Sequence, residues 1–160
     1  WEERVSIIRN LKFVDQVMGA FFLVKRDLFR ELNGFDERFF VYYEEVDFSY
    51  RAFLRGKKSI FFSEYNIFHL GGGSSSKVKA KRMFYQLRSK LIYSELNFKY
   101  YKFIIFFIMV IFIEPLTRLV NSLFKSNYSE LKETLIGFSF LYKWIFSTIT
   151  ILRKSSFLLK

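Results

Sequence analysis

The feature that most constrains this chain is an uninterrupted apolar run from Phe103 to Ile113, read FIIFFIMVIFI. If Glu114, Pro115 and Arg118 are tolerated, the apolar character continues to Phe124. This gives about 22 residues, long enough at 1.5 Å per residue to cross a hydrocarbon core of roughly 30 Å. Pro115 is expected to kink such a helix. The run predicts contact with a membrane, as a span or at its surface; the competing interpretation is a core helix of a soluble domain.

A second apolar segment, Leu135 to Leu152, carries a narrow polar stripe at helical spacing, which predicts an amphipathic helix. The stripe consists of Ser139, Lys143, Ser147 and Thr150. A Lys near the centre of a spanning helix costs about 2.5 to 3.5 kcal/mol on insertion scales. We therefore expect this helix to lie at the interface and not to span.

The charge balance predicts an acidic partner. The formal net charge is +11, and the stretch from Lys77 to Lys102, which lacks Gly and Pro and should be helical, carries eight Lys and Arg against the single acid Glu95. Such a balance fits either nucleic acid or an anionic membrane. The aromatic residues crowd into apolar runs and do not alternate with the basic ones, so we expect an anionic membrane and no nucleic acid.

The chain before residue 98 has a mixed pattern, which predicts an α/β domain. It contains β-prone runs and a short helix that Asp27 caps and Asn33-Gly34 ends. The expected strands and apolar runs are Phe13–Val17, Ala20–Val24, Ser59–Phe62 and Tyr65–Phe68. We place the domain at residues 1–97 and the membrane-associating helices at 98–160. No Cys occurs, which excludes disulfides and thiolate metal sites.

An acidic cluster opens the next predicted helix, Glu44 to about Arg55. Its apolar residues recur at helical spacing, Gly56 ends it, and its first turn holds Glu44, Glu45 and Asp47. Carboxylates there face the positive end of the helix dipole, which stabilises their ionised form by roughly 0.3 to 1 kcal/mol each. Taken alone, such a cluster is also what a solvated helix face or a cap looks like.

Three separated pieces of the chain together resemble a known family. They are GAFFLVKRDLF (Gly19 to Phe29), NGFDERFFVYYEEVDFSYR (Asn33 to Arg51) and HLGGGSS (His69 to Ser75). In this order they resemble the C-terminal half of a family 2 glycosyltransferase of the GT-A fold, in its rhamnosyltransferase-like branch. The resemblance implies an α/β nucleotide-sugar transferase domain, a nucleotide-diphosphate sugar donor and transfer with inversion.

The resemblance also implies roles for individual residues. Glu45 falls on the family's catalytic base, where the wider superfamily usually has Asp, with Glu44 and Asp47 as supporting acids. Arg51 is an ion-pair or donor-side partner, and His69 resembles a ligand of the diphosphate or of a divalent metal, Mg or Mn. Gly72 and Ser74 belong to a loop whose backbone N–H groups are expected to approach phosphate or to shape the acceptor site, although a plain linker explains the same composition.

The function expected from this resemblance is sugar transfer to a saccharide or lipid-linked acceptor in cell-surface polysaccharide synthesis. The expected location is the cytoplasmic face of a bacterial cell membrane. The nucleotide-binding half and its Asp-x-Asp motif do not occur in these residues, so we expect the chain to be inactive alone. The alternative is a basic membrane-associated protein without catalysis, in which the basic stretch binds anionic lipid.

Overall fold

The computed structural model describes residues 11–62, 68–69 and 78–158, with side chains up to residue 148. The chain divides into two compact units, Trp1–Gly71 and Gly72–Lys160. This division falls before the basic helix, whereas the pattern of the sequence suggested a boundary between residues 97 and 98. The basic helix packs with the apolar helices that follow it.

The first unit contains a small sheet and two helices. Strand β1 (Leu11–Val14) pairs antiparallel with β2 (Ser59–Phe62). Between them lie a 3-10 turn (Gly19–Phe21), helix α1 (Arg26–Glu31) and helix α2 (Glu44–Phe53). Asn33 and Gly34 have φ of 56° and 70° and end α1 as predicted. Asp27 lies in the first turn of α1 and is not its N-cap; that position is occupied by Lys25, which makes no side-chain cap hydrogen bond.

A phenylalanine cluster forms the core of the first unit. The ring of Phe48, on α2, is 1% exposed and lies 5.5 to 5.6 Å from the rings of Phe22, Phe29 and Phe35. Leu32 and Ala52 complete the buried set. The cluster therefore holds α1 and α2 together directly beneath the acidic first turn of α2.

The prediction of an α/β domain of the GT-A kind is wrong. Helices account for most of the described residues, and the strands among them are one antiparallel pair of four residues each. The β-prone run from Ala20 to Val24 begins as a 3-10 turn, and its Phe22 and Val24 pack on the helices. Strand propensity reports how well a side chain fits a half-buried apolar surface, and here helices provide that surface.

The second unit is helical over its described residues. It consists of α3 (Lys79–Asn97), α4 (Tyr100–Ile108), a π-helical segment (Met109–Ile113), α5 (Glu114–Phe124) and α6 (Tyr128–Leu158). Its buried core is contributed by α3, the π-helical segment and α6, through Leu87, Leu91, Val110, Ile111, Phe138 and Leu141. The Glu133 carboxylate on α6 accepts a 2.8 Å hydrogen bond from the Ala80 N–H and so caps the start of α3.

The sequence predicts a kink at Pro115, and the structure shows a change of helix type just before it. Pro115 has no N–H, so an α-helix would leave the carbonyl of Ile111, four residues earlier, without a donor. The helix widens into the π-helical segment just before Pro115, and the Tyr142 hydroxyl donates a 2.9 Å hydrogen bond to the Ile111 carbonyl. The continuous helical stretch Tyr100–Phe124 therefore survives a proline at its centre.

The amphipathic pattern of the second apolar segment is also visible in the structure. Phe138 and Leu141 are buried in the core, whereas Ser139, Lys143 and Ser147 are exposed. The Thr150 side chain lies outside the described part of the chain. Within the described residues, only Tyr100–Phe124 is long and apolar enough to cross a membrane.

Candidate active site at the start of helix α2

The chain enters α2 through two residues in the left-handed conformation. Tyr42 and Tyr43 have φ of 66° and 72°, and Tyr43 is the N-cap, without a side-chain cap hydrogen bond. This conformation costs a residue with a Cβ roughly 1 to 2 kcal/mol. It persists only where neighbouring contacts stabilise it, and such positions cluster at functional sites. Sequence reasoning did not identify this turn, because nothing in a Tyr-Tyr pair signals positive φ.

A single arginine ties α2 to the turn that follows α1. The Arg51 Nε donates to Asp47 Oδ2 at 2.6 Å, Nη1 to the Leu32 carbonyl at 2.6 Å, and Nη2 to the Gly34 carbonyl at 3.0 Å. The Asp47 side chain is only 5% exposed. The guanidinium also lies over the Phe48 ring, 5.5 Å from its centroid. We call these contacts of Arg51 the arginine clamp.

Glu44, the first residue of α2, has a carboxylate that is partly withdrawn from solvent. Its Oε2 is buried and has no hydrogen-bond partner in the described part of the chain. Burial raises the pKa of Glu44 above its ordinary value of 4.5, and the neighbouring charge of Glu45 adds to the rise. Its own backbone N–H acts in the opposite direction. Glu44 is thus the carboxylate in the cluster whose ionised form the fold disfavours.

Glu45 lies against Gly19, which brings together two of the pieces that carry the sequence resemblance. A Cβ placed on Gly19 would lie 3.5 Å from the Glu45 carboxyl carbon and 3.8 Å from Oε1. The carboxylate is half-buried and makes no hydrogen bond or ion pair with the described residues. Glu45 is therefore positioned beside the backbone of residue 19 with its oxygens available.

The acidic pair that precedes α2 has a separate role. Asp36 accepts from the Arg38 backbone N–H at 2.9 Å and forms an ion pair with the Arg38 guanidinium at 2.5 Å. This hydrogen bonding is the main cause that lowers the pKa of Asp36 below its ordinary value of 3.8. Asp36 is consequently engaged in the turn, while Glu37 is exposed.

The remaining predicted site residues are not part of this cluster as described. His69 is exposed. Gly72 and Ser74 lie outside the described residues, so their predicted contact with phosphate stays a prediction. Within the described ranges, no three His, Cys, Asp or Glu side chains converge to hold a metal ion. The Mg or Mn site that His69 was expected to join stays a prediction.

Of the three carboxylates in the first turn of α2, two are available to act on a bound molecule. The arginine clamp engages Asp47, which leaves Glu44 and Glu45 at the positive end of α2. A carboxylate close to a helix N-terminus that makes no hydrogen bond or ion pair with the described residues can accept a proton from an approaching hydroxyl.

Comparison with known proteins found a partial sequence similarity to a sugar-transferring enzyme. A 43-residue stretch is 42% identical to the low-salt glycan biosynthesis hexosyltransferase Agl10 of Haloferax volcanii. It covers 27% of this chain and 14% of that protein, so this chain matches only a small part of the relative's length. No family model and no solved structure matches the chain. The partial match indicates a relation to glycosyltransferases.

Proposed function

We propose that this chain is part of a glycosyltransferase that moves a sugar from a nucleoside-diphosphate donor to a hydroxyl of a saccharide or lipid-linked acceptor, with inversion. The observation that carries the proposal is the Glu45 carboxylate at the start of α2, which lies beside Gly19 and makes no hydrogen bond or ion pair with the described residues. The similarity to a hexosyltransferase supports the choice of chemistry. We assign the chemistry to the first unit and membrane attachment, at the cytoplasmic face, to the apolar helices of the second.

Glu45 acts as the general base in this proposal. The acceptor oxygen attacks the anomeric carbon of the donor, and the bond between that carbon and the phosphate oxygen breaks. The nucleoside diphosphate leaves with the electron pair, and the hydroxyl proton passes to the Glu45 carboxylate. Glu44, the adjacent acid in the first turn of α2, is the supporting carboxylate in this proposal.

Arg51 is a positioning residue and not a ligand of the donor. Its three nitrogens already donate to Asp47 and to two backbone carbonyls. A guanidinium engaged in this way holds the first turn of α2 at a set distance from the turn after α1. His69, Gly72 and Ser74 remain the proposed contacts of the leaving diphosphate, which needs positive charge or N–H donors where negative charge develops.

The proposal is tested by replacing Glu45 with Gln in the protein as its gene encodes it. Glu45→Gln preserves shape and removes the base, so sugar transfer should fall by at least about a hundredfold while donor binding is retained. Glu37→Gln is the matched control, because Glu37 is an exposed acid outside the cluster. Transfer is measured as release of nucleoside diphosphate from a panel of donor sugars, and donor binding by calorimetry.

Two results would overturn the assignment. Undiminished turnover in Glu45→Gln removes Glu45 from the role of base. An equal loss in Glu37→Gln shows that the effect is one of net charge and not of the first turn of α2.

A second candidate function is that of a basic membrane-associated protein without catalysis. The observation in its favour is the helical stretch Tyr100–Phe124, of which only 11% of the most apolar window is buried within the protein. A soluble core helix would be mostly buried. An assay of the unmodified protein distinguishes the two candidate functions, because sugar transfer from any nucleotide sugar excludes a protein without catalysis.

A further inference from the structure

The stretch Tyr100–Phe124 exposes apolar side chains on the side that is not buried against α3 and α6. Six of these exposed residues are spaced so that they share one side of the helix. We call this face the apolar stripe; it comprises Ile105, Ile108, Met109, Phe112, Leu116 and Val120. The opposite face, which includes Val110 and Ile111, is buried against α3 and α6.

An ionic cluster lies near the midpoint of the same stretch. Glu114 Oε2 is 3.2 Å from Lys90 Nζ on α3, and its Oε1 is 2.8 Å from Arg118 Nη2. The ion pair between Lys90 and Glu114 therefore holds α3 beside the centre of the apolar stretch. Lys90 and Glu114 are both largely withdrawn from solvent.

The neighbouring helix α3 is unsuited to hydrocarbon. It carries five basic residues and does not qualify as a candidate span. They are Lys79, Lys81, Arg82, Arg88 and Lys90. If Tyr100–Phe124 crossed a bilayer, its midpoint would lie at the bilayer centre, and Lys90 would be carried there with it. Charged side chains at that depth are strongly disfavoured.

We propose that the second unit binds one leaflet of an anionic membrane, with the apolar stripe lying in the plane of the interface and α3 remaining at the level of the head groups. Amphipathic helices bind this way, with the apolar face about 5 to 10 Å deep. This mode of binding buries the apolar stripe in lipid without breaking the ion pair between Lys90 and Glu114. It does not depend on the sugar-transfer proposal.

Charge complementarity identifies the occupant of the stripe as a lipid surface. Between residues 78 and 148 the chain has eleven Lys and Arg against four Glu. The stripe itself is bordered by exposed Lys99 and Lys102 at one end and by exposed Lys125 at the other. Long basic side chains at the edge of an apolar face reach the phosphate groups while their stems stay on apolar surface. A second copy of so basic a surface would be repelled.

The absence of Cys makes a depth measurement clean, since each introduced thiol is the only one in the chain. Single variants Ile105→Cys, Phe112→Cys and Val120→Cys are labelled with a small fluorophore. The full chain is then reconstituted by detergent removal into vesicles of equal parts phosphatidylcholine and phosphatidylglycerol. Lipids brominated at shallow or deep acyl positions report the depth of each label.

The two arrangements give opposite depth profiles. In the proposed arrangement all three positions are quenched best by the shallow lipid and to the same extent. In a spanning helix Phe112 is deepest, because the other two positions lie about 10 and 12 Å from it along the axis. A deep Phe112 between two shallow neighbours, or no quenching at any position, overturns the proposal.

A binding experiment tests the stripe and the charges separately. Phe112→Glu should weaken binding to the anionic vesicles by about tenfold or more. Phe53→Glu is the control, because Phe53 is equally exposed but lies in the first unit, at 64% against 60% for Phe112. Circular dichroism checks that the helices of both variants are retained. Equal binding by the two variants refutes the role of the stripe.

The charge arm replaces Lys79, Lys81 and Arg82 together with Gln. Each basic residue near an anionic surface is worth about fivefold in partition, so binding to the anionic vesicles should fall by roughly a hundredfold. Binding to pure phosphatidylcholine vesicles should be unchanged. A loss on both kinds of vesicle contradicts the assigned role of α3.

Discussion

The arginine clamp makes the sharpest prediction about the stability of the first unit. Arg51→Ala removes the ion pair to Asp47 and the hydrogen bonds to the carbonyls of Leu32 and Gly34. Asp47, whose side chain is 5% exposed, is then left as an uncompensated buried charge. Breaking a buried ion pair in this way typically costs about 3 to 5 kcal/mol.

The exposed pair in the same unit supplies the control. Arg38→Ala also removes an arginine paired with an aspartate at short distance, but the Arg38 side chain is 59% exposed. Exposed pairs contribute about 0 to 1 kcal/mol, because water replaces the lost partner. The difference between the two substitutions should therefore be at least about 2 kcal/mol.

Hydrogen exchange followed by mass spectrometry measures this difference within the first unit alone. Peptides that cover α2 should lose protection by at least about a hundredfold in Arg51→Ala, since every 1.4 kcal/mol is a factor of ten. They should change by less than about fivefold in Arg38→Ala. A double-mutant cycle with Asp47→Asn isolates the pair, and the cost of Arg51→Ala should shrink when the buried charge is already absent.

The reasoning is refuted if Arg51→Ala and Arg38→Ala reduce protection equally. The same holds if the cost of Arg51→Ala is unchanged in the Asp47→Asn background. Either result would mean that Asp47 is solvated when its partner is removed, and the clamp would then not position the acidic turn.

Three further predictions concern single contacts. Because burial raises the pKa of Glu44, the folded state binds the proton of this group more tightly than the unfolded state, so the cost of burying the carboxylate is absent below about pH 4.5 and grows as pH rises. Glu44→Gln should therefore raise the urea midpoint at pH 7 and leave it unchanged at pH 4. An equal rise in the midpoint at both pH values would contradict this. Gly137→Ala should lower the urea midpoint by the equivalent of about 1 to 2 kcal/mol, because its Cβ would meet Met83 and, at 3.1 Å, the Ala80 carbonyl. A higher midpoint would contradict this, since it would mean that α3 and α6 move apart and that the gain of about 1 kcal/mol in helix propensity decides the outcome. Tyr142→Phe should lower the free energy of unfolding by about 1 kcal/mol, because it removes the donor to the Ile111 carbonyl. The loss should be smaller in a Pro115→Ala background, and an equal loss there would mean that Tyr142 does not compensate for the proline.

The sequence pattern predicted several elements because the signals were local. Helix α2 begins at Glu44 as its acidic first turn and apolar spacing indicated, and β2 covers the predicted residues Ser59–Phe62. The stop at Asn33-Gly34 follows from their tolerance of positive φ. Each of these signals acts within one turn or one strand, so no distant contact was needed to recognise it.

The fold class was not predictable in the same way. The run from Ala20 to Val24 has the composition of a buried strand, but composition does not state which surface will cover it. Helices α1 and α2 provide that surface, and Phe22 packs on Phe48, which lies 26 positions later in the chain. The short motifs that carry the resemblance occur in the expected order, but the described residues form one antiparallel pair of strands and not the expected larger sheet.

The sequence by itself determined that three carboxylates open α2, that a basic helix precedes an apolar one, and that a proline lies within the latter, because these depend on residue type and spacing alone. Only the tertiary structure decided what each carboxylate does. Arg51 engages Asp47, one oxygen of Glu44 is buried, and the Glu45 carboxylate lies beside Gly19. The physical reason is that charge and hydrogen bonding depend on neighbours brought together from distant positions, and identical acids in one helical turn acquire different partners there.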